Sequence, residues 1–69
     1  MSAIALTNLG KQEAMKTTES GPEFAVLSLL YETDGPVDFE EIVDVLHTSD
    51  EKASMIVRKL ITKGLVKEL

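Results

Sequence analysis

The side chains that could do chemistry are mostly acids and bases, and they fall into two separate blocks. From Glu19 to Asp44 the sequence has eight acidic residues and no basic one, a local charge of −8. From Asp50 to Lys67 five basic residues stand against two acidic ones, a local charge of +3. The local patch, rather than the net charge of −5, decides what a protein binds at close range. The first block therefore suits a basic partner, and the second permits binding to a polyanion such as DNA without strongly favouring it.

The remaining reactive groups do not combine into a catalytic or metal site. His47 is the only histidine, and it falls at the end of a predicted helix, where it is expected to cap carbonyl groups or to fill the turn. The absence of cysteine excludes disulfides and thiolate metal sites. Glu40, Glu41 and Asp44 are expected to form a solvated helix face rather than a cation site. Since there is no Gly-rich phosphate loop and no nucleophile beside a base, we expect no enzyme, no metal and no cofactor.

Length and composition indicate one small domain. The 69 residues include only three aromatic ones, so the core must be built from Leu, Ile, Val and Ala. Such a core is marginal alone, which leaves a homodimer open. The apolar run from Ala3 to Leu6 has no basic residue before it and is too short for a signal peptide or a membrane span. We therefore expect a cytoplasmic protein that does not enter a membrane.

Three helices are delimited by capping patterns and helix breakers. A short polar residue followed three positions later by Glu predicts a capping box at each start. Pro22 suits the first turn of the first helix, and Gly35-Pro36 ends that helix. Gly64 follows the third helix at a position that favours a left-handed residue. These signals predict helices at 22–33, 38–46 and 50–63, with capping boxes formed by Ser20 and Glu23, Asp38 and Glu41, and Thr48 and Glu51.

Apolar residues recur with helical spacing in these segments and predict one buried face on each helix. Together the three faces would close a trihelical core. Short strands are predicted at 37–39 and 65–69, and we expect these two to pair. The predicted inward residues are Phe24, Leu27, Leu30 and Tyr31 in the first helix, Phe39, Ile42, Val45 and Leu46 in the second, and Ala53, Ile56, Val57 and Leu60 in the third.

The N-terminal part is less regular than the rest. Residues 3–7 have the composition of a strand, residues 8–15 that of a short amphipathic helix, and residues 17–21 that of a linker. We therefore divide the chain into an N-terminal segment at 1–20 and a domain at 21–69.

The segments Phe24 to Tyr31, Gly35 to Leu46 and Ser49 to Leu60, followed by the ending Gly64-Leu65-Val66, have a recognisable order. This pattern resembles the winged-helix regulators of the MarR and related archaeal and bacterial families. The resemblance implies a mainly α fold. That fold has a three-helix, winged-helix-like helix-turn-helix core, a minimal β-sheet and a truncated or absent wing.

One difference from these families concerns the last strand of the sheet. In most winged-helix proteins a hairpin and a third strand follow the Gly-Leu-Val strand, whereas this sequence ends at Leu69. The usual ending of that third strand, Leu-Thr followed by Gly and a basic residue, occurs near the N-terminus as Leu6-Thr7-Asn8-Leu9-Gly10-Lys11. We therefore predict that residues 3–6 pair with residues 65–69, of the same or a partner chain, and supply the missing sheet edge. The alternative is a fragment of a longer regulator that lacks its wing.

The resemblance implies that the third helix lies in the major groove of double-stranded DNA as a recognition helix. Arg58 would then pair with guanine or phosphate, Ser54 with phosphate or a base, and Met55 with a thymine methyl group. The implied function is a DNA-binding transcriptional regulator. The predicted DNA-binding residues are Ser49, Lys52, Ser54, Met55, Arg58, Lys59 and Lys63, in which the three lysines contact phosphates.

Two alternatives remain beside this interpretation. In the first alternative, the basic face of the third helix is only a solvated surface, and Met55 is a packing or dimer residue. The other functional class is a winged-helix protein-interaction module whose acidic face, at 19–44, docks a basic partner.

Overall fold

The computed structural model describes residues 2–16 and 20–69. Within them the chain is mainly helical with a small antiparallel sheet, as predicted, and the predicted helix ends agree to within one residue. Residues 17–19 of the predicted linker lie outside the described residues. No helix in the described ranges is long and apolar enough to cross a membrane. In chain order the elements are β1 (Ala3–Leu6), α1 (Asn8–Lys16), α2 (Pro22–Thr33), β2 (Val37–Asp38), α3 (Phe39–Leu46), α4 (Asp50–Thr62) and β3 (Val66–Glu68).

The N-terminal strand β1 is the central strand of the sheet, whose order is β2-β1-β3. It pairs antiparallel with β3, where Leu6 lies opposite Val66, and with β2, where Ile4 lies opposite Val37. The predicted pairing of the N-terminal strand with the C-terminal one is therefore confirmed, and it occurs within one chain. The predicted direct pairing of β2 with β3 is wrong, because β1 lies between them.

A hydrogen-bonded junction ties the end of β1 to the end of α4. The Thr7 hydroxyl donates to the Gly64 carbonyl oxygen at 2.6 Å and accepts from the Gly10 N–H at 3.0 Å. The Thr7 N–H donates to the Leu65 carbonyl oxygen at 3.1 Å. Gly64 has the predicted left-handed conformation, with φ 76°. A Cβ on Gly10 would lie 2.9 Å from both the Leu65 carbonyl carbon and a Leu6 methyl carbon, so this close approach requires glycine.

The hydrophobic core lies between the sheet and the helices α2, α3 and α4. Helix α2 is central, since it contacts α1, α3, α4 and β1. The prediction that Tyr31 and Val45 face inward is wrong, because Tyr31 is 45% exposed and Val45 is 42% exposed. The buried face of α2 includes Val26 instead, which is fully buried. The run from Phe24 to Leu30 is apolar on nearly every side of the helix, so its spacing could not fix the orientation.

The first two predicted capping boxes do not form. The N-cap of α2 is Gly21 rather than Ser20, and among the described residues no side chain makes a capping hydrogen bond there. Asp38 is the N-cap of α3, but its side chain accepts no capping hydrogen bond. The backbone N–H of Phe39, the first residue of α3, donates instead to the Ser2 carbonyl oxygen at 3.0 Å. This bond continues the pairing of β1 with β2. A capping box needs the right backbone direction at the helix start as well as the right spacing, and spacing is all that a sequence pattern shows.

Candidate nucleic-acid interface

A short turn fixes where the last helix begins. His47 is in the left-handed region with φ 52°, and its N–H donates to the Asp44 carbonyl oxygen at 3.2 Å, which ends α3. His47 lies at the helix end, as predicted, and the capping bond there is made by its backbone N–H. Ser49 is the N-cap of α4, and its hydroxyl accepts from the Lys52 N–H at 3.2 Å. The predicted N-cap, Thr48, is therefore wrong by one residue, because the N-cap of α4 is Ser49.

One face of α4 is held firmly in the core. Ala53, Val57 and Leu60 have no exposed surface, as the sequence predicted, and Ile56 is half-buried beside them. Helix α4 as a whole contacts α2, α3 and β3. Since the helix is anchored along its length, the residues of its opposite face have a defined direction relative to the core.

The opposite face of α4 is exposed and carries basic side chains around an apolar centre. Met55 is 61% exposed and lies near the middle of this face. Helical geometry places Lys52 and Lys59 on one side of Met55, and Arg58 with Glu51 on the other. All four of these charged residues are exposed. The arrangement can offer cationic groups on both sides of a single helix.

A shallow depression lies where this face meets the start of α3. Its lining includes Ser54, Met55 and Arg58 from α4, and Phe39 from α3. Phe39 was predicted as a core residue, but it is only half-buried. Its position as the first residue of α3, at the edge of the core, was a signal that it would not be fully covered. Arg58 therefore stands beside an apolar wall, and Asp50 and Glu51 contribute two carboxylates to the same lining.

Two of the predicted DNA-binding residues already have partners within the protein. The Ser49 hydroxyl caps α4, so its role there is to position the helix. The Lys63 ammonium forms an ion pair with the Glu23 carboxylate of α2 at 2.8 Å, with side chains 55% and 36% exposed. Such an exposed pair contributes about 1 kcal/mol or less, so phosphate can compete for this lysine. Among the described residues, Lys52 and Lys59 form no ion pair, and neither does Arg58.

The acidic residues lie mainly on other elements. Glu40, Glu41 and Asp44 are exposed on α3, as expected for a solvated acidic face. Asp50 and Glu51 lie in the first turn of α4, where they stabilise the positive end of the helix dipole. The described residues contain no group of three or more His, Cys, Asp or Glu side chains that could hold a metal ion. The exposed face of α4 therefore carries mainly basic side chains, and most of the exposed carboxylates lie on other elements.

Comparison of the chain with protein-family models, with curated proteins and with solved structures finds no significant match.

Proposed function

We propose that this protein is a DNA-binding transcriptional regulator that places α4 in the major groove of double-stranded DNA. The observation that carries the proposal is the exposed face of α4, where Lys52, Arg58 and Lys59 surround Met55 and form no ion pair with any described residue. The major groove of B-DNA, about 12 Å wide, admits an α-helix. An α-helix with its side chains is about 10–12 Å across, so its side chains can reach both walls of the groove.

The residues of this face divide by the part of DNA that they can reach. Arg58 is the candidate for reading guanine, since its guanidinium offers two parallel donors. Met55, at the centre of the face, can contact a thymine methyl group, and Ser54 can bond a base or a phosphate. Lys52 and Lys59 lie on the other side of the helix and neutralise phosphates.

The arrangement of the helices supports a winged-helix type of domain. Helices α2, α3 and α4 form the three-helix core, and α3 and α4 form the helix-turn-helix unit. Strand β1 supplies the third strand, beside β3. We further propose that the protein acts in the cytoplasm as a homodimer, in which two copies of α4 lie about 34 Å apart, one turn of B-DNA.

The proposal is tested by titrating the ¹⁵N-labelled protein with mixed-sequence duplex DNA at about 50 and about 150 mM salt. We expect chemical-shift changes in the Thr48 to Lys63 amides that weaken as the salt concentration rises. The double variant Arg58→Gln, Lys59→Gln should lose at least about tenfold in affinity at low salt, because it removes two cationic contacts.

The matched control is the double variant Lys11→Gln, Lys16→Gln, which changes the net charge equally but alters exposed bases of α1. Its affinity should stay within about threefold of the parent protein, because these bases lie outside the proposed contact face. Equal losses of DNA affinity in the two double variants would show that the protein attracts DNA only through its overall charge and not through α4. Unchanged α4 amides at low salt would refute the proposal.

A further inference from the structure

A second surface, separate from the exposed face of α4, lies on the outward side of α2. Side chains at helical spacing along α2 form an open groove of about 440 Å³, which Val45 of α3 closes on one side. Val45 was predicted to be buried, and its 42% exposure follows from this position at the groove wall. We call this surface the α2–α3 groove. Its lining is mostly apolar, and it comprises Ser20, Gly21, Phe24, Ala25, Ser28, Leu29, Glu32 and Val45.

The shape of the α2–α3 groove suits a helix of a partner. Ala25 and Ser28 are small and lie midway along it, while Phe24, Leu29 and Val45 provide larger apolar walls. The lining residues of α2, from Phe24 to Glu32, span about 12 Å along the helix axis, the length of a helix of about eight residues. An amphipathic helix laid along such a groove would insert side chains spaced at i, i+3, i+4 and i+7.

The charge around the groove determines which kind of helix can bind. Residues 20–46 contain seven acidic residues and no basic one, so both helices that line the groove carry only negative charge. Glu32 belongs to the lining itself. Glu41 is exposed on α3, one helical turn before Val45. A segment with basic residues beside its apolar stripe complements this surface, whereas an acidic segment is repelled.

The same charges argue against a two-fold symmetric dimer of this chain at the groove. A two-fold symmetric dimer at this face would place the acidic residues of one copy against those of the other, since such an interface is self-complementary. Helix α4 of another copy does not offer a suitable stripe either. Its Ala53, Val57 and Leu60 are buried in the core, which leaves Met55 as its exposed large apolar side chain.

We propose that the α2–α3 groove docks a basic amphipathic helix of another protein. The apolar stripe of that helix packs between Leu29 and Val45, and its basic residues pair with Glu32 and Glu41. The lining of this groove shares no residue with the exposed face of α4 described above. Docking here is therefore independent of DNA binding, and each can fail without the other.

The test uses a designed amphipathic helical peptide of Leu and Lys, about 18 residues long so that it can form a stable helix on binding. One control peptide has Glu in place of every Lys, and a second has the Leu and Lys residues in scrambled order. Binding is measured by fluorescence anisotropy, and its location by the amide shifts of the ¹⁵N-labelled protein. We expect saturable binding that weakens with salt, with the largest shifts at Ala25, Ser28, Leu29 and Val45.

Two variants of the protein test the apolar and the charged parts of the groove. Val45→Ser removes one apolar wall and should weaken peptide binding about five- to tenfold. The matched control Met55→Ser makes a similar change on α4 and should leave peptide binding unaltered. Glu32→Gln with Glu41→Gln changes two exposed side chains, so the fold is kept, and should weaken binding about tenfold at low salt.

Three outcomes would overturn the proposal. Equal binding of the Glu-containing or the scrambled peptide would show that neither charge nor the apolar stripe is recognised. Shifts centred outside the groove would place the peptide elsewhere. Concentration-dependent self-association that shifts the same amides without peptide would make a second copy the occupant. Variant Val45→Ser should retain DNA binding and Arg58→Gln, Lys59→Gln should retain peptide binding, so failure of this proposal is distinguishable from failure of the DNA proposal.

Discussion

Replacing Gly10 by Ala tests how tightly the N-terminal segment is joined to the end of α4. Gly10 lies in α1, where Ala is normally the better helix former by about 1 kcal/mol. On propensity alone, Gly10→Ala should therefore stabilise the protein. The structure predicts the opposite, because an added Cβ would lie 2.9 Å from the Leu65 carbonyl carbon and closer still to the Leu65 carbonyl oxygen. The neighbour is backbone, so it cannot rotate away.

The cost follows from what must move to relieve this contact. Overfilling a packed site costs about 1–3 kcal/mol. Shifting α1 away from Leu65 also weakens the hydrogen bonds of Thr7 to Gly64 and Leu65, at about 1 kcal/mol each. After the helix propensity of Ala is deducted, the net loss is about 2 kcal/mol or more. In a chain of this length 1 kcal/mol corresponds to about 7 °C, so we expect the Tm to fall by about 15 °C.

Thermal unfolding followed by circular dichroism measures this change, with urea unfolding to give the free energy. The matched control is Gly35→Ala, where an added Cβ has no heavy atom within 4 Å and the backbone is not left-handed. That variant should keep its Tm within about 3 °C of the parent. If Gly10→Ala melts at or above the temperature of the parent protein, the inferred close packing of α1 against Leu65 is incorrect.

Three further substitutions examine other contacts. Ile4→Ala, in the central strand, should cost about 2–5 kcal/mol by urea unfolding, since Ile4 is fully buried; a loss below about 1 kcal/mol would contradict the central position of β1. Ser49→Ala should cost about 1 kcal/mol and speed hydrogen exchange of the first-turn amides of α4, including Lys52; unchanged exchange would exclude the cap. Glu23→Gln should change the unfolding free energy by less than about 1 kcal/mol, because its ion pair with Lys63 is exposed. A larger loss would show that this ion pair stabilises the fold more than an exposed pair normally does.

The helices could be predicted well from local signals, because each end depends on one or two residues. Pro22 cannot occupy the interior of a helix, and Gly64 adopts the left-handed conformation that follows one. The caps were harder to predict, since a shift of one residue changes which side chain reaches the free N–H groups. Ser49 rather than Thr48 caps α4, and nothing in the spacing alone distinguishes the two.

Long-range pairing was predictable in part, where a motif marked it. The run Leu6-Thr7 with Gly10 and Lys11 indicated that the N-terminal strand would join the C-terminal one, and it does. The same motif did not indicate that β1 would also pair with β2. Strand order depends on which edges the helices leave accessible, and that is decided by packing across the whole domain.

The candidate DNA-binding face shows the same division between local and tertiary information. The outward side of α4 could be predicted because a helix with a well-defined buried stripe has a well-defined opposite side. The ion pair between Lys63 and Glu23 could not be predicted, since it joins the residue that follows α4 to a residue of α2 that is distant in sequence. Phe39 was assigned to the core because its spacing fits the α3 stripe, yet it borders the depression beside Arg58.

The acidic charge of this domain bears directly on how it would bind DNA. The protein measures only 28 × 25 × 22 Å, so the acids of α3 are near enough to α4 to act on an approaching phosphate backbone at low ionic strength. At physiological ionic strength screening extends over about 8 Å, so in the proposed complex the contacts of Lys52, Arg58 and Lys59 would outweigh the carboxylates of α3. Lowering the salt concentration would strengthen both the attraction of the phosphates to the basic residues of α4 and their repulsion by the acidic residues of α3. The affinity should therefore depend on salt less steeply than the number of basic contacts alone implies.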